Sequence, residues 1–411
     1  MKRPRGVARV GSTALLAQVV SSSSNFLINV VVVRLLGVTE LGRFSLMFSA
    51  LLILVALQTS WVGDSLVVLA RSEPAIKRGI DATQWGFTLI GSAAAGLSAG
   101  AVGAGLSEAI AFAVLAGLWV LEEYGRRMFM ARMEFGRLAV NDAVYLLLTA
   151  AALIGVELWG VTTLTSIMLC MAGGAGAAFL AGMVTLPPLD RLWIFRPSRS
   201  EVGSVAGFGV WRSAQSGLGM LGGFLVRVVV VTTGSAAMLG ELEVGRLVVA
   251  PLFVLIASSS NVLLPLFAEK RDDHARVAEL SRMAVTGLGG VTLVYGLVVL
   301  VMADTSVQMV GGASAHSGRV VILGWLLQAL TVGTTNPMFA SALVRGLSAV
   351  VFWTKAAGMA TSIFAAWLLM STSGPRLVPM SLAAGLVVAA FLLWRVDKGS
   401  DVPPAELAGL L

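Results

Sequence analysis

The chain contains itself twice. Gly11, Phe26, Leu27, the run from Val30 to Val33, Leu41 and Gly42 recur as Gly209, Phe224, Leu225, Val228 to Val231, Leu239 and Gly240, every pair at an offset of 198 residues. These are nine identities without a gap over positions 11–42, and the glycines bracket an apolar stretch of helical length. We read two homologous halves joined near residue 200, an amino-terminal one over 1–200 and a carboxy-terminal one over 201–411 that ends in a short tail. Membrane chains built from repeated bundles place their site at the interface between the repeats.

Composition sets the solvent of this fold. Hydrophobic residues make up 57% of the chain and charged residues 12%, about half the charged share of a soluble domain. Since about 20 apolar residues cross a hydrocarbon core, the sequence predicts twelve spans, at 11–34, 42–66, 81–103, 106–121, 138–156, 160–186, 207–233, 242–267, 283–303, 319–343, 348–370 and 378–395. The fold class expected is therefore an all-α polytopic membrane protein with two homologous six-helix bundles. No soluble domain fits between the spans.

The basic start Met1-Lys2-Arg3-Pro4-Arg5 leads into an apolar stretch too long for a signal peptide, so it reads as a retained first helix. With both termini in the cytoplasm, 23 of the 29 Lys and Arg fall on the inner side, and only Arg34, Arg43, Arg227, Arg246, Arg319 and Arg376 fall toward the outer side. That asymmetry follows the positive-inside rule and explains the net charge of +7 without nucleic acid. A prokaryotic inner membrane is the expected location.

Several chemistries lack their residues. Cys170 is the single cysteine, and His274 and His316 have no Cys or carboxylate companions at metal-ligand spacing. No GxxxxGK[ST] loop is present to cradle nucleotide phosphates. No cofactor, no metal and no enzymatic activity are expected.

The residues left to carry function are charges inside apolar segments. Arg227 interrupts the span 207–233 about 9 Å from its outer end at 1.5 Å per residue, a position that calls for water or a partner; the alternative is an arginine snorkelling to the interface. Arg246 begins the next span beside Glu241 and Glu243, and Arg34 and Glu40 occupy the matching turn of the first half. Arg227, Arg246 and Arg34 are the candidate lining of a cationic cavity, since guanidinium groups fork phosphate oxygens in fixed geometry; a solvated turn explains the same charges.

Asp64, in Ser60-Trp61-Val62-Gly63-Asp64, is the candidate ion-coupling carboxylate or else a helix cap at the interface. Asn25 and Asn141-Asp142 suit helix-to-helix hydrogen bonds. Glu122-Glu123-Tyr124-Gly125-Arg126-Arg127 pairs its charges at i, i+4 and reads as a solvated helix entering the cytoplasm, with its arginines available to anionic lipid. Pro251 and Pro337 fall within spans and weaken their helices there.

Three of these stretches carry a family resemblance. Arg34 to Phe44, reading RLLGVTELGRF, resembles the turn between the first two helices of the polysaccharide-biosynthesis flippase branch of the multidrug/oligosaccharidyl-lipid/polysaccharide exporter superfamily. Gly240 to Pro265, ending Ser258-Ser259-Ser260-Asn261-Val262-Leu263-Leu264-Pro265, resembles its eighth helix, and Glu122 to Arg137 its basic loop after helix four. The second half departs from the pattern, with Gly240-Glu241-Leu242 where an aromatic follows the glycine.

The resemblance implies alternating access around a cationic cavity and export of a polyprenyl-diphosphate-linked oligosaccharide from inner to outer leaflet. The implied partners are that lipid-linked glycan, membrane lipids and polysaccharide assembly enzymes. Three alternatives remain open: a cation-coupled drug or metabolite antiporter of the same fold, a membrane glycan polymerase or glycosyltransferase, and a transport-dead homologue acting as a scaffold. The predicted outer loops are short for a polymerase or transferase, which needs catalytic carboxylates on a sizeable loop.

Overall fold

A computed structural model describes residues 22–69, 73–193, 198–270, 273–312 and 318–399. The basic start Met1 to Arg5, Gly11, the first part of the span 11–34, His316 and the tail beyond 399 lie outside the described residues. All regular structure among them is helical. Hydrocarbon offers backbone groups no water, and a helix satisfies them within one segment.

In chain order the helices are α1 (Ser22–Leu36), α2 (Val38–Gln58), α3 (Asp64–Val68), α4 (Pro74–Ala101), α5 (Leu106–Ala131), α6 (Phe135–Leu158), α7 (Leu164–Thr185), α8 (Arg199–Thr233), α9 (Ala236–Glu269), α10 (His274–Val301), α11 (Ala303–Gly311), α12 (Arg319–Val344), α13 (Ser348–Thr372) and α14 (Val378–Gly399). A π-helical turn, Thr59–Gly63, joins α2 to α3 without a break. Gly37, with φ +89°, turns α1 into α2, a conformation that costs glycine least. Pro74 opens α4 at the position where a missing N–H goes unnoticed. Thr163 and Ser166 form a capping box on α7. Pro251 and Pro337 sit inside α9 and α12, both of which run on past them.

Nine of the described helical segments are long and apolar enough to cross a bilayer. They coincide with nine of the twelve predicted spans, and the other three fall short for identifiable reasons. α1 is described for only 15 residues, Ser22–Leu36. α4 carries Lys77, Arg78 and Asp81 at its start and Thr83, Gln84, Thr88 and Ser92 further along, which lower its hydropathy. α5 carries Glu108 in its first turn and Glu122, Glu123, Arg126 and Arg127 in its last turns. Large apolar side chains such as Ile90, Leu97, Leu158 and Val301 are exposed, as expected where the solvent is lipid.

The chain forms two compact units, residues 22–28 with Phe44–Met220 and residues 29–43 with 221–399. It passes between them within α1, α2 and α8. In the first unit α5 packs against α4 and α7, and α6 against α7. Small residues set the spacing: a Cβ on Gly174 of α7 would stand 3.0 Å from the carbonyl of Tyr145 on α6. One core gathers Val62, Leu66, Ile80, Tyr124, Met128 and Phe129.

In the second unit α12 packs against α9, α10 and α14, and α13 against α14. Gly358 and Gly385 bring α13 and α14 together, each lying where a Cβ would stand within 2.4 Å of the other's carbonyl. Such backbone-to-backbone approach is how membrane helices gain contact without a hydrophobic driving force. Trp325 Nε1 donates to Leu242 O at 2.8 Å and Tyr295 Oη to Val248 O at 3.0 Å, tying α12 and α10 to α9.

Candidate functional site

In the second unit a short turn at Gly234 and Ser235 folds the last part of α8 back along the first turns of α9. Ser235 Oγ accepts the Met238 amide and so caps α9. This hairpin brings Arg227 of α8 beside Glu243 and Arg246, which stand one turn apart on α9. Arg227 Nε donates to Glu243 Oε1 at 2.8 Å and its Nη1 to Gly223 O at 3.0 Å. Arg246 donates to Glu243 Oε2.

The Glu243 side chain is 1% exposed, against 18% for Arg227 and 27% for Arg246. One buried carboxylate thus serves two guanidiniums that keep partial access to their surroundings, and the cluster carries a surplus positive charge. A crevice beside it is lined by Val226, Val230, Leu242, Trp325 and Pro379 and has room for no more than about one water molecule.

Arg34, the third predicted cationic residue, lies elsewhere in the same unit. It is exposed at the end of α1, where its guanidinium donates to the carbonyls of Met309 and Val310. Those carbonyls belong to the last turn of α11, the negative end of that helix, so Arg34 acts as its cap. Glu40 pairs with Arg43 at 3.2 Å, one turn along α2. The structure brings Arg227 and Arg246 together through Glu243 and leaves Arg34 on a different partner.

Asp64 belongs to the first unit. It begins α3 directly after the π-turn, and its Oδ2 accepts from Arg212 Nε at 3.0 Å and Nη2 at 2.7 Å. Both side chains are partly exposed, 29% for Asp64 and 46% for Arg212. The same face of α8 is fastened to α2 and the π-turn by Ser60 Oγ to Ser216 Oγ at 2.5 Å and Ser213 Oγ to Leu57 O at 3.0 Å. Gly209 lies flush on the Trp61 ring. Arg212 was not singled out by the sequence; the signal was there in two opposite charges inside apolar spans 148 residues apart.

The segment expected to be a solvated face divides in two. Arg132, Glu134 and Arg137 remain partly exposed and pair with one another and with Asp190. Glu122 and Glu123 are instead buried, together with Asn141 and Asp142 of α6, because α6 and α7 both cover that face of α5. The i, i+4 pairing is present for Glu123 and Arg127 at 2.6 Å. Its physical setting is an interior one.

Near the start of α8, Glu201 Oε2 accepts the Ser198 amide at 2.9 Å and Oε1 pairs with Arg78 at 2.5 Å. The Ser198 hydrogen bond and the Arg78 guanidinium hold this carboxyl below the usual glutamate range. Among the described residues no three His, Cys, Asp or Glu side chains converge as a metal site, and Cys170 is a buried free thiol.

No family model matches the chain, and no curated protein matches it. Solved structures do match. The lipid II flippase MurJ in an inward-closed conformation has a TM-score of 0.73 at 10% identity, over 93% of this chain and 86% of that one. The Vibrio cholerae MATE transporter VcmN, solved as a point mutant, has a TM-score of 0.64 at 15% identity over 95% of each chain. An outward-facing multidrug resistance MATE transporter of the MOP superfamily has 0.61 at 16% over 95% of each. At these identities the likeness shows the fold: an all-helical, multi-pass membrane fold of the kind these transporters have.

Proposed function

We propose that the chain is an alternating-access transporter that moves a polyprenyl-diphosphate-linked oligosaccharide from the inner to the outer leaflet of a prokaryotic inner membrane. In this reading α1, α4 and α5 complete twelve spans in two six-helix bundles, with both termini cytoplasmic. The observation that carries the choice of an anionic substrate is the Arg227–Glu243–Arg246 cluster. It holds two guanidiniums against one carboxylate, so a diphosphate meets uncompensated positive charge, and planar guanidinium groups suit phosphate oxygens. Burying that surplus charge with no ligand to meet it is costly.

The second reading is a drug or metabolite antiporter. The similarity of the fold to MATE transporters supports it. An organic cation would need acidic residues in the cavity, and the one buried carboxylate of the cluster is already neutralised twice.

The test is the amount and leaflet of polyprenyl-linked oligosaccharides in cells with and without this protein, by mass spectrometry and accessibility labelling. Accumulation facing the cytoplasm on deletion is the expected result, and the mass identifies the glycan. An unchanged lipid-linked pool overturns the flippase reading in favour of the antiporter. Accumulation on the outer face points instead to a polymerase or transferase.

A further inference from the structure

The network at the far end of α5 has an odd number of charges. Glu122 and Glu123 of α5 and Asp142 of α6 are each less than 8% exposed at the side chain, and the guanidiniums that meet them are Arg126 and Arg127. Three carboxylates face two cations, and they share them unequally. Glu123 accepts Arg127 Nε at 2.6 Å, Arg126 Nη1 at 2.8 Å and the Thr59 hydroxyl of the π-turn at 3.4 Å. Asp142 accepts Arg126 Nε at 2.9 Å and Nη2 at 3.4 Å. Glu122 is left with Arg126 Nε at 3.8 Å, beyond hydrogen-bond reach, and with the Asn141 side-chain amide at 3.3 Å.

We propose that Glu122 is a proton-binding site, a carboxyl group that takes up and releases one proton inside the ion network joining α5 to α6. Binding a proton cancels the surplus negative charge, which an interior cannot leave unpaired cheaply. It also turns Glu122 from an acceptor into a donor. The acceptor at hand is Asn141 Oδ1, a fully buried atom with no hydrogen-bond partner. A half-turn of the Asn141 amide exchanges its oxygen and nitrogen, and places Oδ1 where Nδ2 now stands against Glu122 Oε1. The amide therefore follows the proton: it donates to the carboxylate and accepts from the acid.

Among the described residues, the remaining groups around Glu122 are uncharged or paired elsewhere. Tyr145 is the only other titratable group that α6 turns toward it. α7 carries no charged residue, and its one titratable group, Cys170, lies beside Leu148 and Ala152. On α4, Lys77 and Asp81 pair with each other and with the Tyr124 hydroxyl. The proton site stands on this geometry alone, while its use in driving conformational exchange rests on the transport reading above.

The test is infrared difference spectroscopy of the full chain reconstituted in phosphatidylglycerol–phosphatidylethanolamine vesicles, scanned from mildly alkaline to mildly acid pH. The carbonyl stretch of one protonated carboxyl group is expected to grow on acidification, to be absent from Glu122→Gln, and to grow only at lower pH in Glu123→Gln, which leaves two carboxylates for the two guanidiniums. Glu122→Asp, the variant to use if Gln disturbs folding, is expected to shift the band without deleting it. Asn141→Leu is expected to shift it as well, because the acid loses its acceptor. No such band in the wild type, or a band untouched by every change at Glu122, overturns the proposal. Failure here is distinguishable from failure of the transport reading, since the band reports Glu122 whatever the protein moves.

Discussion

Gly42 and Gly240 face each other across the crossing of α2 and α9. A Cβ on Gly42 would stand 1.8 Å from Ala236 O and 2.9 Å from Gly240 N, and one on Gly240 would stand 1.9 Å from Val38 O. The offset of 198 that maps Gly42 onto Gly240 also maps Val38 onto Ala236. Each glycine therefore rests on the carbonyl of the residue one turn before its own repeat partner, and the contact maps onto itself. Two of the nine repeated identities acquire a reason here, because only a residue without a side chain lets the two helix starts meet backbone to backbone.

Either Gly42→Ala or Gly240→Ala is expected to force the crossing apart and destabilise the protein by at least the about 1–3 kcal/mol typical of overpacking. Once one substitution has parted the helices the other has less to disturb, so the double variant is expected to cost less than the sum. Thermal unfolding in detergent measures both effects. Gly86→Ala, on a surface where nothing stands within 4 Å, is the control and is expected to be neutral or mildly stabilising.

Removing Glu243 leaves two guanidiniums together without a counter-charge, and breaking a buried pair in this way costs about 3–5 kcal/mol. Glu243→Gln is expected to lower the melting temperature well beyond Arg246→Ala, after which Arg227 still holds Glu243. A Glu243→Gln protein as stable as the wild type would show that the cluster is not a closed ion network.

Because Arg246 remains on Glu243 when Arg227 is removed, Arg227→Ala is expected to fold and express normally while losing transport. Arg227→Lys keeps the charge without the planar fork and is expected to restore only part of it. The accumulation of lipid-linked oligosaccharide measures this, with wild-type export in Arg227→Ala as the outcome that removes the residue from the site.

The Asp64–Arg212 pair is partly exposed, and such pairs contribute about 0.2–1 kcal/mol. Asp64→Asn is expected to shift stability by no more than that and to leave transport largely intact. Loss of ion-driven transport with unchanged stability would instead establish Asp64 as the coupling carboxylate.

Glu201 has a folded-state affinity for protons lower than its unfolded one, so the stabilisation it brings is complete above the ordinary glutamate value of 4.5 and is lost as pH falls through its depressed folded value. The attachment of the start of α8 to α4 is expected to be insensitive to pH around neutrality and to loosen only in acid. Exchange protection of amides 198–205, corrected for intrinsic rates, follows this, and Arg78→Ala is expected to raise the pH at which it fails.

Hydropathy and the repeat are properties of short stretches; hydropathy was enough to determine that this chain is helical and crosses a membrane many times, and the repeat is what singled out residues 38–42 and 236–240 as a pair. The length and apolar content of a span are decided within the span itself. Which charges are interior was a different matter. Glu122 and Glu123 read as a solvated face because their i, i+4 partners are visible in the sequence, whereas the α6 and α7 surfaces that bury them are not. Arg227 was legible as an anomaly and Glu243 as a neighbour of Arg246 in a wet turn; only the α8–α9 hairpin made one buried carboxylate the partner of two arginines. Asp64 and Arg212 meet across 148 residues. Burial and pairing depend on what the rest of the chain brings to a side chain, and that is what only the tertiary structure decided.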